Sequence, residues 1–174
     1  TLNHLDALPD NVVEAKDLIS KMISRNPKSR PNTQQVLKHP FFWSNGKKLE
    51  FLLKVSDRFE VEKRDPPSEL LLKLENVAQN VFGDDWCVKF ERSFMDNLGK
   101  FRKYRPERLM DLLRALRNKY HHFNDLPEDL VTKMSPLPDG FYQYFNRKFP
   151  NLLMEIYQVV EENLKEDHVL ELFF

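Results

Sequence analysis

Apolar positions recur along this chain every three or four residues, the spacing that gathers them on one face of an α-helix. From Asp10 to Arg25 they fall at Val12, Val13, Ala15, Leu18, Ile19, Met22 and Ile23. Pro27 ends that segment, and Pro31 stands where a second helix can start, carrying Val36 and Leu37 until His39-Pro40 closes it. Phe41, Phe42 and Trp43 follow as a cluster that must be buried, and Ser44 to Lys47 reads as a polar hinge around Gly46. Leu49, Phe51, Leu52, Leu53, Val55 and Phe59 then make an amphipathic helix, stopped by Asp65-Pro66-Pro67. Ser68 is placed to cap a helix from Glu69 to Val77 with Leu70, Leu71, Leu74 and Val77 as its stripe. The least helical region is Phe82 to Phe90, with a turn at Gly83-Asp84-Asp85 and Trp86 as a buried anchor.

Further on, the pattern predicts a helix from Ser93 to about Tyr104 with Phe94, Met95, Leu98 and Phe101 inward. A short one follows from Leu126-Pro127-Glu128 to Met134, then one capped by Asp139 and carrying Phe141, Tyr144 and Phe145. The last runs from about Asn151 to Leu164. The fold class is therefore all-α. Between these lies Tyr104 to His122, YRPERLMDLLRALRNKYHH. Projected at about 100° per residue, Leu109, Leu112, Leu113, Leu116 and Tyr120 share one side. Arg114, Asn118 and His122 fall opposite, with Arg117 at the border. Asn118 and His122 are one turn apart, but His121 is one turn from Arg117, so spacing leaves both histidines open.

Composition adds bounds. A length of 174 residues allows one domain, or one domain and a fragment of another. Four glycines beside fourteen phenylalanines favour helices over turn-rich sheets. Net charge is zero, so the whole molecule has no general attraction for polyanions. Charge is segregated, however: Arg92 to Lys119 holds nine basic and three acidic residues, and Asn151 to Phe174 holds six acids against Lys165. The basic window can bind phosphate; by charge alone, a solvated helix face is the simpler reading. The single cysteine, Cys87, excludes an internal disulfide, fits a cytosolic or nuclear setting, and beside Trp86 reads as a small hydrophobe. No run approaches the roughly 20 apolar residues of a membrane span, so no direct membrane contact is expected of this stretch.

On spacing alone, a polar helix face bearing Arg, Asn and His is more often solvent surface than an active site, but the side chains of the central stretch could also serve one chemistry. RNA carries its own nucleophile, the 2′-hydroxyl, so an enzyme must take its proton, stabilise the crowded phosphate and protonate the departing 5′ oxygen. Histidine suits proton transfer, arginine offers a forked donor to phosphate oxygens, asparagine adds an uncharged donor, and a tyrosine hydroxyl can accept or relay a proton. A metal site is not expected at the histidine pair, because adjacent helical side chains diverge and no nearby acid or cysteine completes a ligand set. His4, His39 and His168 receive no role.

Two resemblances sharpen this. DLISKMISRNPKSRPNTQQVLKHPFF resembles the final helices of a protein kinase large lobe, where the arginine matching Arg30 pairs with a glutamate that this sequence lacks. The glycine-rich phosphate loop, strand lysine, catalytic-loop aspartate and metal-binding aspartate of kinases are likewise absent from it. The chain is thus expected to be no kinase by itself, and ATP or ADP with Mg is expected only in kinase sequence outside it. LMDLLRALRNKYHHFNDLPED, followed by DGFYQYFNRKFPNLL, resembles the kinase-extension nuclease domain. That is the helical ribonuclease fused behind the kinase in the unfolded-protein-response sensor of the endoplasmic reticulum, and in ribonuclease L. KKLEFLLKVSDR and RDPPSELL point to the fungal form of the sensor.

The resemblance implies residues 1–43 as the end of a kinase large lobe and 44–174 as the nuclease domain packed on it. It places the family's catalytic tyrosine on Tyr104, its arginine–asparagine pair on Arg117 and Asn118, and its histidine on His122. His122 would be the general acid and Tyr104 the general base, with Arg117 and Asn118 on the scissile phosphate and Lys103, Arg105 and Arg108 as RNA contacts. It further implies a metal-independent endoribonuclease cutting messenger RNA stem-loops to a 2′,3′-cyclic phosphate. Back-to-back dimers or larger oligomers would form at the cytosolic face of the endoplasmic reticulum membrane, anchored by a segment outside this sequence. The rival reading is a non-catalytic helical module that binds RNA or dimerises a kinase.

Overall fold

A computed structural model describes residues 12–99 and 103–174. The expected helix start at Asp10, the inward side of Phe101, and His4 lie outside the described residues. In chain order the helices are α1 (Val12–Met22), α2 (Thr33–Lys38), α3 (Asn45–Glu60), α4 (Glu69–Asn76) and α5 (Ala78–Phe82). They continue as α6 (Arg92–Gly99), α7 (Leu109–His121), α8 (Glu128–Met134), α9 (Asp139–Lys148) and α10 (Leu152–Asn163). Among the described residues there is no strand, only an isolated bridge between Arg64 and Pro67.

Three local expectations change. Tyr104 lies in a non-helical segment, so the helix expected from Ser93 to about Tyr104 does not reach it. Ser44 to Lys47 is no hinge: Ser44 Oγ accepts from the Lys47 N–H at 3.2 Å and starts α3, with Gly46 inside its first turn. A glycine there costs at most about 1 kcal/mol, which the cap and the apolar stripe offset. Asp139 is the first residue of α9 and makes no side-chain cap bond; its carboxylate favours the helix start through the dipole instead. The next residue, Gly140, is required by space, because a Cβ there would collide with the Ser135 carbonyl.

The core forms where α3 crosses α7 and α9. Leu49, Leu52, Val55 and Phe59 of α3 are buried with Leu109, Leu112, Leu113 and Leu116 of α7 and with Phe141 and Phe145 of α9. Each such side chain contributes about 1.5–3 kcal/mol on burial. Trp86 is fully buried, as its surroundings in sequence suggest, and Phe90 stacks on Phe94 at 4.0 Å between centroids. The cluster expected to bury itself does so unevenly. Trp43 packs against Tyr157 and Phe173 at 5.7 and 5.5 Å, while Phe42 stays exposed.

Helix α1 is joined to the rest by polar contacts. Lys48 donates to Glu14 at 2.6 Å with both residues buried, and Asp17 accepts from Gln158 at 2.8 Å and meets His39 at 2.9 Å. Burial works against the charged form of Asp17, but bonds from His39, Lys21 and Gln158 outweigh it and bring its carboxyl to about 2. His39, given no role from sequence, is thus a buried joint.

Candidate functional site

Helix α7 explains where the site lies. From Leu109 to Leu116 every residue is buried, and only the final turn, with Arg117, Asn118, His121 and His122, begins to leave the core. No side chain of its own turn caps its start. Instead Glu75 of α4 accepts from the Leu109 and Met110 N–H groups at 2.7 and 3.2 Å, putting a carboxylate at the positive end of the helix dipole. Burial raises the Glu75 carboxyl above its usual range, and these two N–H bonds act in the opposite direction.

The loop before α7 is held from both sides. The Trp86 indole donates to the Arg105 carbonyl at 3.1 Å, and the Trp86 N–H donates to the Pro106 carbonyl at 3.1 Å. Asp111 accepts from the Arg105 N–H at 2.7 Å. Tyr104, on this pinned loop, therefore has a defined place: its ring meets Trp86 edge-on at 6.2 Å, and Asn118 Nδ2 donates to its hydroxyl oxygen at 2.9 Å.

Tyr104, Asn118 and His122 line one cleft of about 430 Å³ together with Asn97, Leu98, Lys119 and Asp125. His121 does not line it and sits edge-on to Tyr120 at 5.9 Å. Lys119 is buried and donates to the Asn97 side chain and carbonyl. His122 Nδ1 lies 3.2 Å from Asp125 Oδ2. The cleft thus combines a phenol, an amide, an ammonium and an imidazole, groups able to donate to a phosphate and to move protons on either side of it.

Arg117 is not a wall of this cleft. Its guanidinium donates to Asp57 and Glu60 of α3, each at 3.0 Å, and reaches Asn118 Oδ1 at 3.4 Å. Arg114, expected on the solvated side with Asn118 and His122, is buried. It lies 3.1 Å from Asp111 and 2.5 Å from Glu60, because α3 brings Glu60 over the face that helical projection leaves open.

Lys103, Arg105 and Arg108 line a separate cleft of about 550 Å³. Tyr104 faces the first cleft while its neighbours face the second, as extended backbone alternates its side chains. Arg64 and Arg114 share the second cleft, with Asp65, Glu75 and Asp111 among its other walls. Cys87 is half-buried, and burial followed by the charge of Asp85 pushes its thiol up to about 11, which suits no nucleophile at neutral pH. Among the described residues no helix is long and apolar enough to cross a membrane.

Sequence reasoning missed Asn97, Lys119 and Asp125 as neighbours of the cleft, and Asp57 and Glu60 as partners of Arg117. Asp125 alone had a local signal, three residues beyond His122. The others arrive from elements distant in sequence or from the buried side of α7.

The profile of the family described as Ribonuclease 2-5A matches residues 48–174. The sensor for unfolded proteins in the ER ire1 of Schizosaccharomyces pombe is 51% identical over 95% of the chain and 16% of its own length. The serine/threonine-protein kinase/endoribonuclease IRE1 of Hypocrea jecorina is 48% identical over 91% of the chain and 13% of its length. The serine/threonine-protein kinase/endoribonuclease IRE2 of Homo sapiens is 39% identical over 95% of the chain and 18% of its length. The chain therefore spans less than a fifth of each of these relatives.

Proposed function

The chain belongs to the Ribonuclease 2-5A family, and from that premise we propose that it is an endoribonuclease module of a longer kinase/endoribonuclease of the unfolded protein response. The observation that carries the reading is the single cleft holding Tyr104, Asn118 and His122, with Asn118 bonded to the tyrosine hydroxyl. Tyr104 takes the proton of the 2′-hydroxyl as its oxygen attacks the adjacent phosphorus. The bond from phosphorus to the 5′ oxygen breaks, and that oxygen receives a proton from His122. The products are a 2′,3′-cyclic phosphate and a 5′-hydroxyl. Asn118 donates to the phosphate as its charge grows, and Arg117 joins it once its guanidinium turns from Asp57 and Glu60. Lys103, Arg105 and Arg108, on the reverse side of the Tyr104 loop, hold flanking phosphates.

The finer reading follows the resemblance. The substrates are messenger RNA stem-loops, the active form is a back-to-back dimer or larger oligomer, and the assembly stands at the cytosolic face of the endoplasmic reticulum membrane, held by a segment outside this sequence. ATP or ADP with Mg belongs to the kinase part, and the nuclease steps above pass through neither. Incubating the chain, forced to dimerise, with an end-labelled RNA stem-loop in EDTA tests the reading. Fragments ending in a cyclic phosphate are expected. A requirement for added metal, or 3′-hydroxyl ends, contradicts the mechanism.

A further inference from the structure

We propose that Asp125 is a positioning residue for His122, holding the imidazole by Nδ1 so that Nε2 is presented to the cleft. The role rests on the ribonuclease reading; the contact does not. Nδ1 and Oδ2 are 3.2 Å apart, and both residues line the cleft that holds Tyr104 and Asn118. The backbone builds this arrangement. Helix α7 ends at His121, and the Asp125 N–H donates to the His122 carbonyl at 3.0 Å, which sets the three-residue offset between the side chains.

An ionised carboxylate has no hydrogen to give, so the atom facing it on the ring must carry one. A neutral His122 then keeps its hydrogen on Nδ1, the tautomer less favoured in free histidine, and leaves the lone pair on Nε2. A protonated His122 has Nε2–H as its one uncommitted donor, the position needed to protonate a leaving oxygen. The other ionisable groups of the cleft are the Lys119 ammonium and the Tyr104 phenol, and each has a partner of its own: Lys119 donates to Asn97, and Tyr104 accepts from Asn118. His122 and Asp125 are both exposed, with side-chain accessibilities of 70% and 69%. Pairs so open to solvent add little stability. The contact therefore acts on orientation and turnover rather than on folding.

The test pairs a spectroscopic and a kinetic readout on the 174-residue chain. Nitrogen-15 spectra recorded with the ring in its neutral form read the His122 tautomer. Hydrogen on Nδ1 is expected in the parent chain, a shift toward Nε2–H in Asp125→Ala, and recovery in Asp125→Glu. In stem-loop cleavage, Asp125→Ala is expected to lower kcat about tenfold with KM and Tm unchanged, and Asp125→Glu to restore most of it. A tautomer that ignores Asp125→Ala, or a turnover that ignores it, overturns the proposal. Absence of cleavage by the parent chain when it is forced to dimerise would count against the ribonuclease reading, while the spectra still decide the contact.

Discussion

Tyr104 is the side chain on which the cleft closes, and its two ends do different work. The ring packs on Trp86, and the hydroxyl accepts from Asn118. Tyr104→Phe keeps the first and removes the second, so Tm should hold while kcat falls by about 10²–10⁴-fold, measured on a cleavable stem-loop; a variant with parent-like turnover would exclude Tyr104 as the base. At this scale the sequence was informative in proportion to locality. Helical spacing put Asn118 and His122 one turn apart, the resemblance chose His122 over His121, and Asp125 lies three residues further on. The partners of Arg117 could not be paired in that way, because Asp57 and Glu60 come from α3 by tertiary packing. Arg114 was misplaced for the same reason: projection shows which residues share a face, not which neighbour covers it.

Most helices follow directly from the apolar period, because most stripes have a core to face; α2, with Leu37 exposed, does not. The exceptions are ends. Gly46 looked like a breaker but lies behind the Ser44 cap, and Asp139 looked like a cap but lies within the first turn. The start of α7 depends on a carboxylate from another helix, invisible to local rules. Glu75→Ala should therefore lower stability to urea by about 1–2 kcal/mol and shift the Tyr104 loop that abuts the freed turn. An unchanged urea midpoint would show that water caps α7 equally well. The buried Glu14–Lys48 pair makes the stronger claim. Glu14→Ala removes a charge-assisted bond from the buried Lys48 ammonium, which keeps its place over the Tyr142 ring at 5.7 Å, and should cost about 1.5–3 kcal/mol, read in the same denaturation.

For the whole molecule, the polar joint between α1 and α10 sets a response to acid. The Asp17 carboxyl is at about 2 in the folded chain against an ordinary value of 3.8. A depressed folded value contributes stability that is complete above about pH 4 and is lost as pH falls through about 2. The contribution is about 2 kcal/mol, and Asp17→Asn should flatten the acid limb of a Tm-against-pH curve by that amount. An unaltered limb would mean that other carboxylates govern acid unfolding.

The central claim, that the cleft cleaves RNA rather than only binding it, is decided by His122→Ala. The variant and the parent chain, both forced to dimerise, are assayed side by side for stem-loop cleavage in EDTA and for RNA binding by fluorescence anisotropy. Cleavage should vanish in the variant while binding stays within about threefold of the parent, because His122 is given a proton to deliver and not a phosphate to hold. Equal cleavage by the two chains would contradict the catalytic role of His122, and no cleavage by either alongside firm binding would leave a helical RNA-binding module.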